Sequence, residues 1–387
     1  MERVYLDYAA SAPLCAAARA AEEAYEQSAY AGANPNSLHS MGRLAARAMD
    51  GARTDLVRCL GGRLRPSELV FTSGGTESNN LALWGLAEGA RARDRKRVRV
   101  ILSAIEHDSV LDVAPSLRDR GFEVSIAPAN RAGQVTADAV KALLGPDVAL
   151  VSVMSANNET GIVQPVGAIA RAAHAAGALM HTDAVQAFGR IPLYLADVDA
   201  VSIAAHKIGG PVGIGALAVR GRVPLRPQSF GGGQEGGKRA GTQDVRGALA
   251  FAAAARACAD ALEAHAAQVS ARAKRLQDAL CTPETGIRPT VDTPYGSARL
   301  PGMVSLIAPG VDSETLVLSL DELGFEVSAG SACSSGNLDP SHVLSAMGIP
   351  RNEAFCSLRV SFDERVGESE LDAFAHALTT VVAERRR

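Results

Sequence analysis

Short apolar runs alternate with amphipathic stretches between about residue 65 and residue 220. Leu69-Val70-Phe71, Val98 to Leu102, Val148 to Met154, Ala178 to Met180 and Val201 to Ala204 predict strands, and Thr76 to Gly85 and Val166 to Ala176 predict helices. Near-continuous apolar strands separated by helices point to a mostly parallel sheet covered on both faces. Val245 to about Leu280 is Ala-rich and free of Gly and Pro after Gly247, which predicts one long helix bridging two units. Beyond it, Met303 to Ile307, Glu326-Val327-Ser328 and Leu358 to Ser361 predict strands of a smaller α/β unit. The expected division is a large domain over 17–256 and a small one formed by 1–16 and 257–387.

The 387 residues are 47% hydrophobic and 21% charged, enough for two cores in a soluble chain. Thirty-nine basic against 42 acidic residues give a net charge of -3 without strong asymmetry along the chain, so neither nucleic acid nor a membrane surface is an expected partner. Met1 to Asp7 lacks the apolar core of a signal peptide and no apolar run spans a bilayer, so a cytoplasmic protein is expected. The six cysteines are scattered without a CxxC pair, which favours neither a metal site nor a disulfide framework.

The candidate chemistry lies where strands end. Asp183 closes the run Ala178-Leu179-Met180, where an unpaired carboxylate is expensive to bury, and Lys207 stands in Ala205-His206-Lys207 ahead of a Gly-rich stretch. A lysine amine and a carboxylate of this kind are what a pyridoxal phosphate site requires: the amine holds the aldehyde as a Schiff base and the carboxylate keeps the ring nitrogen protonated. Thr72 to Ser78 passes from strand to helix, so its free N–H groups could hold a phosphate, although a helix cap at Thr76 explains the fragment equally well. His107 could stack on a planar cofactor and carry protons, or be a loop histidine bonded to backbone; Asn157 could form a turn or donate to a cofactor. Cys333 lies among small and polar residues, the setting of an exposed reactive thiol, whereas the other five cysteines read as small core residues. Arg359 could clamp a carboxylate or form an ion pair.

Taken in order, Tyr5 to Ala10, Asn34-Pro35-Asn36-Ser37-Leu38-His39, Thr72 to Ser78, Glu106-His107, Asn157-Asn158-Glu159, Asp183 to Gln186, Ala205-His206-Lys207, Gly231 to Glu235 with Arg239 to Thr242, and Gly330 to Cys333 form one series. With it the chain resembles the cysteine desulfurases of the class V aminotransferase family, in the branch like bacterial IscS and NifS, from Tyr5 to about Arg359. The resemblance implies the pyridoxal-phosphate-dependent transferase fold of type I and conversion of L-cysteine to L-alanine, with sulfur left as a persulfide on Cys333 for iron–sulfur cluster assembly or another thiolation pathway. It also implies that Lys207 forms the Schiff base, Asp183 pairs the ring nitrogen, Gln186 contacts the ring hydroxyl, and His107 stacks on the ring and carries protons. Gly75, Thr76 and His206 would bind the phosphate; Thr242 would reach the phosphate of a neighbouring subunit, implying a homodimer. Asn157 would position cofactor and substrate, and Asn34 and Arg359 would hold the substrate carboxylate. A sulfur-acceptor protein is the further partner and no metal is implied. Two positions depart from the family pattern: Ala204 replaces a phosphate-binding serine, a loss of about 1 to 2 kcal/mol, and Asn36 replaces a serine. An aminotransferase or β-eliminating enzyme of the same fold would need Lys207 and Asp183 but not Cys333. A selenocysteine lyase, or a silent scaffold for acceptor proteins, is the other alternative.

Overall fold

The computed structural model describes residues 3–61, 64–296, 298–330 and 339–386, so Cys333 lies outside the described residues. Among them are twelve strands: β1 (Val4–Tyr5), β2 (Leu69–Thr72), β3 (Arg99–Ser103), β4 (Glu123–Ala127), β5 (Val148–Ser152), β6 (Leu179–Asp183), β7 (Ala200–Ala204), β8 (Gly215–Val219), β9 (Arg288–Pro289), β10 (Met303–Ile307), β11 (Phe325–Glu326) and β12 (Ser357–Ser361). Seven of them form one sheet in the order β2-β8-β7-β6-β5-β3-β4. β5, β7 and β8 are buried along their whole length, as strands covered on both faces must be.

The expected mostly parallel sheet is present, with two strands the sequence did not suggest, β8 and β4. β8 follows directly on the Gly-rich stretch and runs antiparallel to both of its neighbours, β2 and β7. Its first residue has to be glycine, because a Cβ on Gly215 would lie 2.7 Å from the Ile203 carbonyl oxygen and 2.8 Å from Gly74. That close approach brings the turn after β2 beside the end of β7. β4 was also unread, since its half-exposed edge position leaves no continuous apolar run.

The long helix is Val245–Leu280, of 36 residues. Its first third, through Ala255, packs in the core beneath the large sheet; Val269, Ala273, Leu276 and Leu280 enter a second core with Leu306, Leu358 and Phe374. Around that second core lie the antiparallel sheet β12-β10-β9 and the parallel pair β1-β11. The expected strand over Glu326 to Ser328 shortens to Phe325–Glu326, with an isolated bridge from Ser328 to Arg359. The N-terminal segment is therefore tied into the second core by β1 and by the bridge from Asp7 to Ser361, and then turns towards the end of the large sheet.

Candidate active site

In sheets of this kind ligands gather at the carboxyl ends of the strands. Here the turns after β2, β3, β5, β6 and β7 surround a cavity of about 340 Å³ lined by Gly75, Thr76, Asn79, His107, Ser109, Glu159, Asp183, Gln186, His206, Lys207, His342 and Arg359 among others. Eight of the residues named from sequence thus share one cavity.

Asp183 ends β6 with 6% of its surface exposed. One carboxylate oxygen accepts the Val185 N–H at 2.8 Å and the other the Asn79 amide at 2.6 Å. Among the described residues no cation pairs with it, so a buried negative charge faces the cavity held only by neutral donors. Such a charge is expensive unless a cation completes it; a protonated ring nitrogen is a group of that chemistry.

Lys207 follows β7 on a single helical turn, Ala205–Lys207. Its Nζ donates to the carbonyls of Ala9 and Ala10 at 2.6 and 2.7 Å. Burial first, then the neighbouring Arg359 and Arg190 charges, pull its pKa down to about 8. A buried amine that sheds its proton near neutrality is prepared to act as nucleophile or base. The preceding His206 is pushed down to about 4 by burial and by the Lys207 and Arg190 charges, so its imidazole is neutral.

The helix Gly75–Arg93 begins at the same cavity. Its N-cap is Gly74, which offers no side chain, and among the described residues the N–H groups of Gly75 and Thr76 have no acceptor. Gly75 has no room for a side chain, since a Cβ there would stand 2.8 Å from Val185. Free N–H groups at the positive end of a helix dipole suit a phosphate, so donors and acid both fit the implied cofactor. Ala204, buried at the N-cap of the Ala205–Lys207 turn, supplies no hydroxyl to it.

Arg359, on β12, is 2% exposed and reaches the cavity from the second core. It donates to Asp7 at 2.7 Å and to the carbonyls of Asn158 and Gly330 at 3.0 and 2.8 Å. Its Nε is buried without a partner among the described residues, leaving a donor for an incoming acceptor. Gln186 also lines the cavity and donates to Ala9 at 2.8 Å.

Three expected residues are placed elsewhere. Asn157 is fully buried beneath the wall, where its carbonyl oxygen accepts the N–H groups of Glu159 and Thr160 at 2.9 Å and its amide donates to Ile105 at 3.0 Å. The wall itself is formed by its neighbours Ala156 and Asn158. Asn34 and Thr242 are exposed and do not line the cavity of the single chain.

Other lining groups went unread. Asn79 and Ser109 lie between Asp183 and His107, and two consecutive asparagines inside a helix, Asn79-Asn80, were the available signal, because such residues need partners there. Glu159 accepts the Ser341 hydroxyl at 2.5 Å, and burial raises its pKa. Glu106 is buried directly behind the wall, where burial lifts its carboxyl to about 8 and one oxygen has no partner among the described residues.

The model of the aminotransferase class-V family matches residues 4–374. The chain belongs to that family, and within it to the cysteine desulfurases of the IscS and NifS kind. It is 39% identical to an IscS-like cysteine desulfurase of Mycobacterium tuberculosis, over 99% of this chain and 97% of that one. A solved NifS-like protein superposes with a TM-score of 0.89 at 33% identity, covering 99% of this chain and 100% of the other. A structure of SspA in complex with cysteine superposes with a TM-score of 0.78 at 31% identity, covering 92% and 98%.

Proposed function

We propose that this protein is a pyridoxal-phosphate-dependent cysteine desulfurase that converts L-cysteine to L-alanine and carries the sulfur as a persulfide on Cys333. The observation that carries the proposal is one cavity containing an amine with its pKa pulled down to about 8, a buried acid that pairs with no cation among the described residues, and an arginine with a buried donor that has no partner among them. Membership of the cysteine desulfurases supports it independently.

When bound, pyridoxal phosphate supplies an electron sink that weakens bonds at the α- and β-carbons of an amino acid. Asp183 would keep the ring nitrogen protonated, Gly75, Thr76 and His206 would hold the phosphate, and Gln186 would meet the ring hydroxyl. Lys207 would hold the cofactor and, as a free amine, would move the substrate's α-proton as a base. Arg359 and Asn34 would hold the substrate carboxylate, and His107 would stack on the ring. Asn157 contributes by pinning the turn that carries Asn158 and Glu159. In the overall reaction the substrate C–S bond breaks and an S–S bond to Cys333 forms. The electron pair stays with carbon, and the proton lost by the Cys333 thiol ends on the methyl group of alanine.

The proposal extends to a large domain over 17–256 and a small one of 1–16 and 257–387, and to a homodimer in which Thr242 meets the neighbouring subunit's phosphate. The persulfide passes to an acceptor protein, such as an iron–sulfur scaffold or a component of another thiolation pathway. No helix among the described residues is long and apolar enough to cross a membrane, in keeping with a cytoplasmic site.

The test is to incubate the cofactor-loaded protein with L-cysteine and a thiol reductant and to measure alanine and sulfide. Equal yields of both, lost in Cys333→Ala and in Lys207→Ala, are expected. Pyruvate as the product, or alanine formation that survives without Cys333, would overturn the proposal in favour of a lyase or aminotransferase.

A further inference from the structure

Asn79 is 1% exposed, and its amide spans two elements of the site. The side-chain nitrogen donates one hydrogen to Asp183 Oδ2 at 2.6 Å and the other to Ser109 Oγ at 2.9 Å, while its own Oδ1 is buried with no partner among the described residues. Turning the amide over would set its oxygen against the carboxylate at the same 2.6 Å, so Asp183 dictates the orientation even though an acceptor is left unpaired.

Direction then passes along the chain of bonds. The Ser109 oxygen accepts from Asn79, and its single hydrogen is free to point at His107 Nδ1, 2.9 Å away. The backbone N–H of Ser109 points at the same ring nitrogen at 3.0 Å. A nitrogen that receives two donors carries no hydrogen of its own, so the proton of the neutral ring sits on Nε2.

We propose that Asn79 and Ser109 are positioning residues that transmit the polarity of Asp183 to His107 and hold its ring as the Nε2–H tautomer. His107 therefore offers the cavity a hydrogen-bond donor. The catalytic meaning rests on the desulfurase reading: the Nε2–H would donate a hydrogen bond to the substrate's sulfur. The tautomer itself does not depend on that reading.

The experiment uses the full chain, without cofactor, labelled with ¹⁵N in its eight histidines. The His107 signals are assigned by their loss in His107→Gln, and two-bond ¹⁵N–¹H correlations show which nitrogen bears the proton. The wild type is expected to show an unprotonated Nδ1 and a protonated Nε2. Asn79→Asp draws the Ser109 hydroxyl to the new carboxylate and turns the oxygen lone pair towards Nδ1, so that the hydroxyl then opposes the backbone N–H of Ser109, and a population protonated on Nδ1 should appear beside the Nε2–H form. Ser109→Ala alone should leave Nε2–H in place through the remaining backbone donor, and Asn79→Asp added to Ser109→Ala should no longer move the proton. A wild-type ring protonated on Nδ1, or averaged between both forms, overturns the proposal without any variant. So does an effect of Asn79→Asp that is absent, or that persists without the Ser109 hydroxyl. With cofactor bound, Asn79→Asp should lower kcat for alanine formation about 10- to 100-fold, within the range of proton-handling groups. The expected tautomer in a protein that makes no alanine would leave this proposal standing and remove the desulfurase reading.

Discussion

Lys207 Nζ donates to the carbonyl oxygen of Ala9 at 2.6 Å, across 198 positions of the chain. The same oxygen receives the Gln186 amide at 2.8 Å. The N-terminal segment, tied through β1 to the second core, thus supplies an acceptor shared by two residues from the ends of the large sheet's strands. Formation of the site and docking of that segment are one event, and Arg359 strengthens the link through Asp7.

Uptake of pyridoxal phosphate should report the lysine directly. Only the neutral amine attacks an aldehyde, and burial with two nearby arginines brings the Lys207 pKa down to about 8. The rate of cofactor incorporation into the apoprotein, followed by visible absorbance, should rise with pH and level off just above 8. A rate still climbing towards 10.5, the ordinary lysine value, would contradict this. The folded state binds fewer protons at this lysine than the unfolded chain between about 8 and 10.5, so the site's contribution to stability improves as pH rises through that window.

Glu106 works in the opposite sense. Burial lifts its carboxyl to about 8 from an ordinary 4.5, so the folded state holds a proton that the unfolded chain has lost across that interval. Its contribution to stability therefore falls as pH rises from about 4.5 to about 8. Glu106→Gln keeps an oxygen for the Ser103 hydroxyl and the Met154 N–H and places its NH2 where the wild-type oxygen has no partner among the described residues. The variant should match the wild type near pH 5 and exceed it by a few kcal/mol above pH 8, on the order of 1.4 kcal/mol per pH unit. Urea titrations at the two pH values check this; a constant difference would count against it.

The strands and the two central residues were legible because both signals are local. Asp183 and Lys207 each end a buried apolar run, and an ionisable group at such a point is conspicuous by its cost. β8 was not legible, because the glycines before it read as a loop and its antiparallel place between β2 and β7 is set by partners far along the chain. The roles of Ala9 and Ala10 lie in backbone carbonyls, on which the side chains bear no mark. Asn34 and Thr242 were named through the family resemblance, and the single chain leaves both exposed.

Arg359→Lys should separate charge from shape. A lysine keeps one positive charge but cannot serve Asp7, Asn158 and Gly330 together while leaving a donor for the substrate. KM for L-cysteine should rise about 10-fold or more, and the melting temperature should fall by several degrees, as about 1 to 3 kcal/mol of buried bonds is lost. Unchanged KM in steady-state assays would remove Arg359 from the substrate site.

Alkylation should single out Cys333 by elimination. Burial pushes the Cys258 thiol up to about 12 and the Cys281 thiol up to about 11. Burial and Asp55 raise Cys59 as well. Cys356 is buried, with its thiol turned to the Asn352 carbonyl at 3.3 Å. Cys15 is half-buried, its sulfur taken up as the acceptor of the Ala18 N–H at 3.4 Å. Since the thiolate is the reactive form, a thiol near pKa 11 is ionised to only about 0.03% at pH 7.5. Iodoacetamide at that pH should modify one cysteine at least tenfold faster than the rest, and peptide mapping should identify it as Cys333. The fast phase should vanish in Cys333→Ala and leave only slow labelling. A fast phase that persists in that variant would put the reactive thiol on another residue, and with it the acceptor of the substrate's sulfur.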